Sequence, residues 1–291
     1  MHEITYSEAI REVMCEEMRR NPSVFLMGED VGVFEGVWGV SHGMLAEFGP
    51  ERVIDTAISE AAIIGNGLGA ALVGMRPIVE IMFGDFSTLL ADQIINHITK
   101  FRWMYNNTVS LPLVIRTPMG GRRGYGPTHS QTLEKIYLGI PGLTVAAPVN
   151  LDDGAGYTPG EMLENVILHS EDPVLFIENK LQYLLPVMTK DDLSILSLQK
   201  NGPGIFPTFT LRLKGAPPPV VTLATYGYMA ELARQAQERL AFEEEIFTEL
   251  VIPTMLAPFG SDPLMESVMR TGKLVTIEEG GRSLGWGSEL I

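Results

Sequence analysis

The segment Asp55-Thr56-Ala57-Ile58-Ser59-Glu60 places a carboxylate just beyond a strand end, at the first turn of a helix that continues Ala61-Ala62-Ile63-Ile64-Gly65. A glutamate in that position is ordinarily only a cap or a dipole partner. Here the helix is apolar nearly all round as far as Val73, which predicts that it is buried and that its start is buried with it. A carboxyl group in apolar surroundings has its pKa raised and is suited to share or donate a proton near neutral pH. The second residue of interest is His129, which follows Gly120-Gly121-Arg122-Arg123-Gly124-Tyr125-Gly126-Pro127. That loop is too rich in glycine to pack a core of its own, and loops fixed at the ends of a rigid sheet often carry function. The plainer alternative is a histidine that braces the loop.

Two competing motifs fail on their surroundings. Gly65-Asn66-Gly67-Leu68-Gly69-Ala70 satisfies G-x-G-x-x-A, but dinucleotide glycines form the turn between strand and helix, whereas these lie more than a turn inside a helix already begun. Close helix packing explains them better. Ser130 beside His129 does not make a hydrolase: adjacent side chains rarely point at each other, and no G-x-S-x-G elbow exists. The five histidines, His2, His42, His97, His129 and His169, show no i+4 pair and have no cysteine partners, which argues against a side-chain metal site.

These residues are carried by alternating elements. Strands are predicted at 24–27, 53–55, 77–81, 113–116, 144–146 and 174–178, and helices at 7–18 with Ser7 as cap, 60–73 with Ser59 as cap, 87–105 and 161–169. The alternation implies an α/β fold with a mainly parallel sheet covered on both faces, binding ligands at the carboxyl ends of its strands. Around Asn201-Gly202-Pro203-Gly204 and Pro217-Pro218-Pro219 the pattern dissolves, so 184–219 reads as a connection between a domain at 1–183 and a smaller α/β domain at 220–291. That second domain carries strands at 220–224, 248–252 and 273–277 and helices at 229–240 and 263–269, again implying a mainly parallel sheet.

With 45% hydrophobic and 20% charged residues, the 291-residue chain is long enough to bury two cores. A formal charge of -15 argues against nucleic acid, which needs clustered Lys and Arg. The single Cys15 excludes an internal disulfide and fits a reducing compartment, read here as the cytoplasm. The first residues lack the pattern of a secretory signal, and no apolar run approaches the roughly 18 residues of a membrane span.

Gly28-Glu29-Asp30-Val31-Gly32, Asp55 through Glu60, Arg76-Pro77-Ile78-Val79-Glu80, Asp92-Gln93-Ile94-Ile95-Asn96, Pro127-Thr128-His129-Ser130-Gln131, Asp172-Pro173-Val174-Leu175-Phe176-Ile177-Glu178-Asn179 and Glu278-Glu279-Gly280 through Gly285-Trp286-Gly287 run in one order along almost the whole chain. In these segments the sequence resembles the β subunits of the pyruvate, branched-chain 2-oxo acid and acetoin dehydrogenases, relatives of the transketolases. The resemblance implies a pyrimidine-binding domain followed by a transketolase C-terminal-like domain, with thiamine diphosphate as cofactor. It gives Glu60 the role of hydrogen-bonding the aminopyrimidine and promoting its imino form. Phe86 is assigned to stack on that ring, with Phe83 as the nearby alternative, and His129 to the substrate side, contacting the carboxylate or assisting acyl transfer. It further implies Mg²⁺ and diphosphate held by a separate α subunit, an α2β2 heterotetramer inactive without α, a lipoyl acyltransferase or carrier protein as acceptor, and a monovalent-cation site near Asn150.

Three features depart from the family pattern. The stretch Leu151-Asp152-Asp153-Gly154-Ala155-Gly156-Tyr157-Thr158 is longer than usual where relatives form the cation site, Val251 through Phe259 replaces an Asp-Leu-Arg-containing strand end, and the second domain lacks its expected closing elements. Two other readings stay open: a split transketolase-like enzyme moving a two-carbon or acyl unit to a carrier, and a non-catalytic scaffold subunit.

Overall fold

The computed structural model describes residues 4–202 and 204–291; His2 and Pro203 lie outside them. The first six strands are β1 (Val24–Gly28), β2 (Val53–Asp55), β3 (Arg76–Glu80), β4 (Val114–Met119), β5 (Thr144–Ala146) and β6 (Val174–Asn179). With the later β11 (Met255–Ala257) they form a seven-stranded sheet in the order β11-β5-β6-β4-β3-β1-β2. All its pairings are parallel except that of β11 with β5.

Alternate residues divide this sheet between two layers of core. Val24 and Leu26 of β1 join Ile78 and Val114 in one cluster with α1 (Tyr6–Arg20) and α5 (Pro159–His169). Phe25 and Met27 join Val79 and Ile115 in another with Ile63, Ile64 and Leu68 of α3 (Glu60–Leu72). This is the period of two expected of a strand buried on both faces. The helices α2 (Met44–Phe48) and α4 (Thr99–Met104) fill the connections.

Several local expectations need correction. The cap of α1 is Thr5 rather than Ser7: its hydroxyl accepts from Glu8 N at 3.3 Å while Glu8 Oε2 accepts from Thr5 N at 2.8 Å, a reciprocal capping box. Ser59 precedes α3 without any side-chain capping bond. Nor is α3 buried all round, since Ala61, Ala62, Asn66, Gly69, Leu72 and Val73 are exposed and the buried stripe is Glu60, Ile63, Ile64, Gly67, Leu68 and Ala71. Of its three glycines only Gly67 is tightly packed, where a Cβ would lie 3.0 Å from Val79 and 3.1 Å from Leu113. The single helix expected over 87–105 is instead a 3₁₀ segment (Gly84–Leu90), a π turn (Gln93–Ile98) and then α4. Thr99 donates its hydroxyl to Ile94 O at 2.9 Å and Ile95 O at 3.1 Å there, and side-chain bonding of this kind accompanies distortion of the regular ladder.

The stretch 184–219 is also more ordered than a connection. It contains β7 (Leu196–Asn201) and β8 (Thr208–Leu213), antiparallel partners flanking the Gly-rich turn. With β9 (Val221–Ala224), β10 (Thr248–Pro253) and β12 (Leu274–Thr276) they form a second sheet ordered β12-β9-β10-β8-β7. It is mixed rather than mainly parallel, because β8 pairs antiparallel with both neighbours. The helices α6 (Met229–Glu243), α7 (Asp262–Thr271) and α8 (Trp286–Glu289) accompany it. Both core clusters run on into this half, one through Phe209, Leu223 and Leu250, the other through Val251, Leu264 and Trp286.

Candidate active site

Parallel strands in register bring their carboxyl ends to one edge. Gly28 of β1 pairs with Asp55 of β2 and with Glu80 of β3, and Met119 of β4 pairs with Asn179 of β6. The segments leaving that edge carry Glu29, Glu60, Phe83 to Phe86, the 120–131 loop and Lys180.

Glu60 is 6% exposed, although Asp55, Ile58 and Ser59 just before it are open to solvent. The approach to it is fixed by Asp55, whose carboxylate accepts from Gly32 N at 2.6 Å and Val33 N at 3.0 Å. A Cβ at position 32 would lie 2.8 Å from Asp55 Oδ2, so glycine is needed for that approach. Glu29, which the sequence reading did not assign to the site, is buried with Oε1 lacking any hydrogen-bond partner. Burial pushes its carboxyl up, and the charges of Glu60 and Asp30 push it further. Its position directly after the end of β1 was the available signal.

The structure brings Phe83, Phe86 and His129 together. The Phe83 and Phe86 rings lie edge to face at 5.6 Å, and the imidazole of His129 lies 4.9 Å from Phe83 and 5.2 Å from Phe86. Tyr125 closes the group at 5.7 Å from Phe83. His129 Nδ1 is 2.9 Å from Thr128 Oγ1. Helix α3, which begins with Glu60, packs on the Gly84–Leu90 segment that carries Phe86.

A buried ion cluster that sequence reasoning also missed supports this edge from below. Arg116 pairs with Glu80 at 2.9 Å and with Glu178 at 2.8 Å, and Tyr183 donates to Glu178 at 2.8 Å. A buried guanidinium needs carboxylate partners of this kind. Burial still pushes the Glu80 carboxyl up despite the guanidinium beside it.

The edge suits the pyrimidine end of thiamine diphosphate, because it offers a buried carboxyl at Glu60, an orphaned carboxylate oxygen on Glu29 and aromatic faces at Phe83 and Phe86. The loop after Asn150 is organised by Asp153 and Lys200. Asp153 Oδ1 accepts from Ala155 N and Tyr157 N at 2.8 and 2.9 Å while Oδ2 pairs with Lys200 Nζ at 2.9 Å. The apolar cavity bounded by Val149, Leu151, Leu185, Leu211 and Ile252 lies between the domains, and neither Glu60 nor His129 lines it.

This architecture and edge define a two-domain protein of the transketolase class. Residues 2–184 match the transketolase pyrimidine-binding domain and residues 216–291 the transketolase C-terminal domain. The chain is 36% identical over 292 residues to the mitochondrial pyruvate dehydrogenase E1 component subunit beta-1 of Oryza sativa subsp. japonica, spanning 99% of this chain and 73% of the relative. It is 36% identical over 280 residues to the 2-oxoisovalerate dehydrogenase subunit beta of Bacillus subtilis, spanning 96% and 80%. A solved split-gene transketolase, an inactive beta4 tetramer, superposes with a TM-score of 0.72 at 23% identity, spanning 99% of this chain and 82% of that one. The chain belongs to the β-subunit family of the thiamine-diphosphate-dependent 2-oxo acid dehydrogenases.

Proposed function

We propose that this chain is the β half of an α2β2 2-oxo acid dehydrogenase that decarboxylates its substrate and passes the acyl group to a lipoyl carrier. The relatives named for pyruvate and 2-oxoisovalerate support a 2-oxo acid as substrate. Thiamine diphosphate, with its pyrimidine end against this chain and its Mg²⁺ and diphosphate on the α subunit, supplies a nucleophilic carbon and a place for the electrons left as carbon dioxide departs.

The residues of this chain handle the protons. Glu60 hydrogen-bonds the pyrimidine end, and its burial keeps bulk water from competing for that bond. Glu29, raised by burial and by Glu60, keeps a second carboxyl beside it. Phe86 and Phe83 give the ring an apolar wall, and His129 meets the substrate carboxylate or assists acyl transfer from the facing side.

The observation that carries this reading is a buried Glu60 at a sheet edge whose neighbouring apolar side chains remain open: Ile58 is 84% exposed, Phe34 75% and Val33 72%. Apolar groups exposed beside a buried carboxyl suit an edge that a partner chain completes. A cytoplasmic setting accords with the free, buried Cys15. Among the described residues no helix is long and apolar enough to cross a membrane.

Co-expression with the α partner, followed by a screen of 2-oxo acids with thiamine diphosphate and Mg²⁺, tests the reading. Release of carbon dioxide with reduction of a lipoyl acceptor is expected. Transfer of a two-carbon unit from a ketose without carbon dioxide would overturn it in favour of a transketolase-like activity.

A further inference from the structure

Lys180 directly follows β6, and its side chain is fully buried. Its Nζ donates to Gly120 O at 2.8 Å and to His129 O at 2.5 Å, so one ammonium ties together two carbonyls near opposite ends of the 120–131 loop. The same Nζ lies 4.9 Å from the Phe83 ring centroid and 4.0 Å from Asp85 Oδ2. Asp85 grips the loop as well, its Oδ1 accepting from Gln131 N at 3.2 Å and Gln131 Nε2 at 2.9 Å, while Oδ2 is buried without a hydrogen-bond donor. From the second domain Glu279 accepts from Gly121 N at 2.8 Å and from Asn179 Nδ2 at 3.0 Å. The base of the loop is therefore held from three sides, while Arg122, Gly124, Tyr125 and Thr128 at its tip are exposed.

We propose that Lys180 is a positioning residue that clamps this loop shut at its base and so fixes His129 against Phe83 and Phe86. The proposal rests on the role given to His129 above. A compact ammonium with three donors fits two carbonyls and a carboxylate, where a planar guanidinium on a longer stem does not. Burial depresses the ammonium's pKa, and Asp85 and Glu279 oppose that, so their charges help keep it protonated.

Two readouts test the proposal. On the purified full chain, trypsin reports release of the loop through cleavage after Arg122 and Arg123. Lys180→Met is expected to speed that cleavage at least about tenfold relative to cleavage at the exposed Lys and Arg outside the loop, because proteolysis of a locally opened segment follows its opening equilibrium. Should Lys180→Met fail to fold because Asp85 is left unpaired, Lys180→Met/Asp85→Asn removes both charges and carries the same expectation. Loop cleavage within about twofold of the parent in the folded variant overturns the clamp.

In the reconstituted complex, Lys180→Met is expected to lower turnover at least about tenfold in the native background but less than about twofold on top of His129→Ala, since residues acting as one unit are non-additive. Equal losses in both backgrounds overturn action through His129. If His129→Ala itself leaves turnover intact, the assignment of His129 fails, and trypsin still decides the clamp.

Discussion

Glu29 and Glu60 sit close enough at one sheet edge for the charge of Glu60 to raise the Glu29 carboxyl, adding to the larger effect of burial. A carboxyl whose folded pKa is raised contributes stability that is present below its unfolded value, about 4.3, and is lost as pH rises through the folded value. Glu29→Gln removes that loss. The variant should be more stable than the parent at pH 7, the gap closing near pH 4. Thermal unfolding of the two chains at both pH values checks this, and an equal or larger gap at the lower pH would contradict it.

Phe86 and His129 touch the same space but are expected to fail differently. Phe86→Ala removes an aromatic face and should weaken thiamine diphosphate binding about tenfold or less, with turnover at saturating cofactor changed little. His129→Ala should leave cofactor affinity unchanged while lowering turnover by about 10²-fold or more, as expected on loss of a proton-transfer group. Cofactor titration and steady-state kinetics on the reconstituted complex separate the two.

The glycines of α3 differ in the space around them. Gly67 faces Val79 and Leu113 at short range, whereas a Cβ at Gly69 meets nothing within 4 Å. Gly69→Ala should therefore stabilise the isolated chain by up to about 1 kcal/mol through helix propensity, while Gly67→Ala should cost about 1 kcal/mol or more through overpacking. Chemical denaturation of the two variants distinguishes them, and equal effects would remove packing as the reason for Gly67.

Glu60 stood out because it lies just past a strand end at the start of a helix and His129 because it follows a glycine-rich loop, whereas Phe83 and Phe86 were expected at the site only through the family resemblance. The neighbours of these residues were not legible. Whether Glu29 is buried, or Lys180 reaches Gly120 and His129, depends on how the loops return over the sheet, which local pattern does not encode. The β7–β8 hairpin was hidden by the glycines at its own turn, which read as punctuation between domains although Leu196-Ser197-Leu198 and Phe209-Thr210-Leu211 alternate as strands do. The break in the 87–105 helix coincides with the bonds from the Thr99 hydroxyl to Ile94 O and Ile95 O, which the spacing of apolar residues does not reveal.

The buried carboxyl of Glu60 is the group on which the proposed chemistry depends, and Glu60→Gln changes it with the least disturbance to shape. In the complex reconstituted with the α subunit, thiamine diphosphate and Mg²⁺, 2-oxo acid decarboxylation is measured alongside assembly by size-exclusion chromatography. Turnover reduced by about 10²-fold or more in an intact heterotetramer is the expected result. Turnover equal to that of the parent complex would contradict it and leave the chain a scaffold.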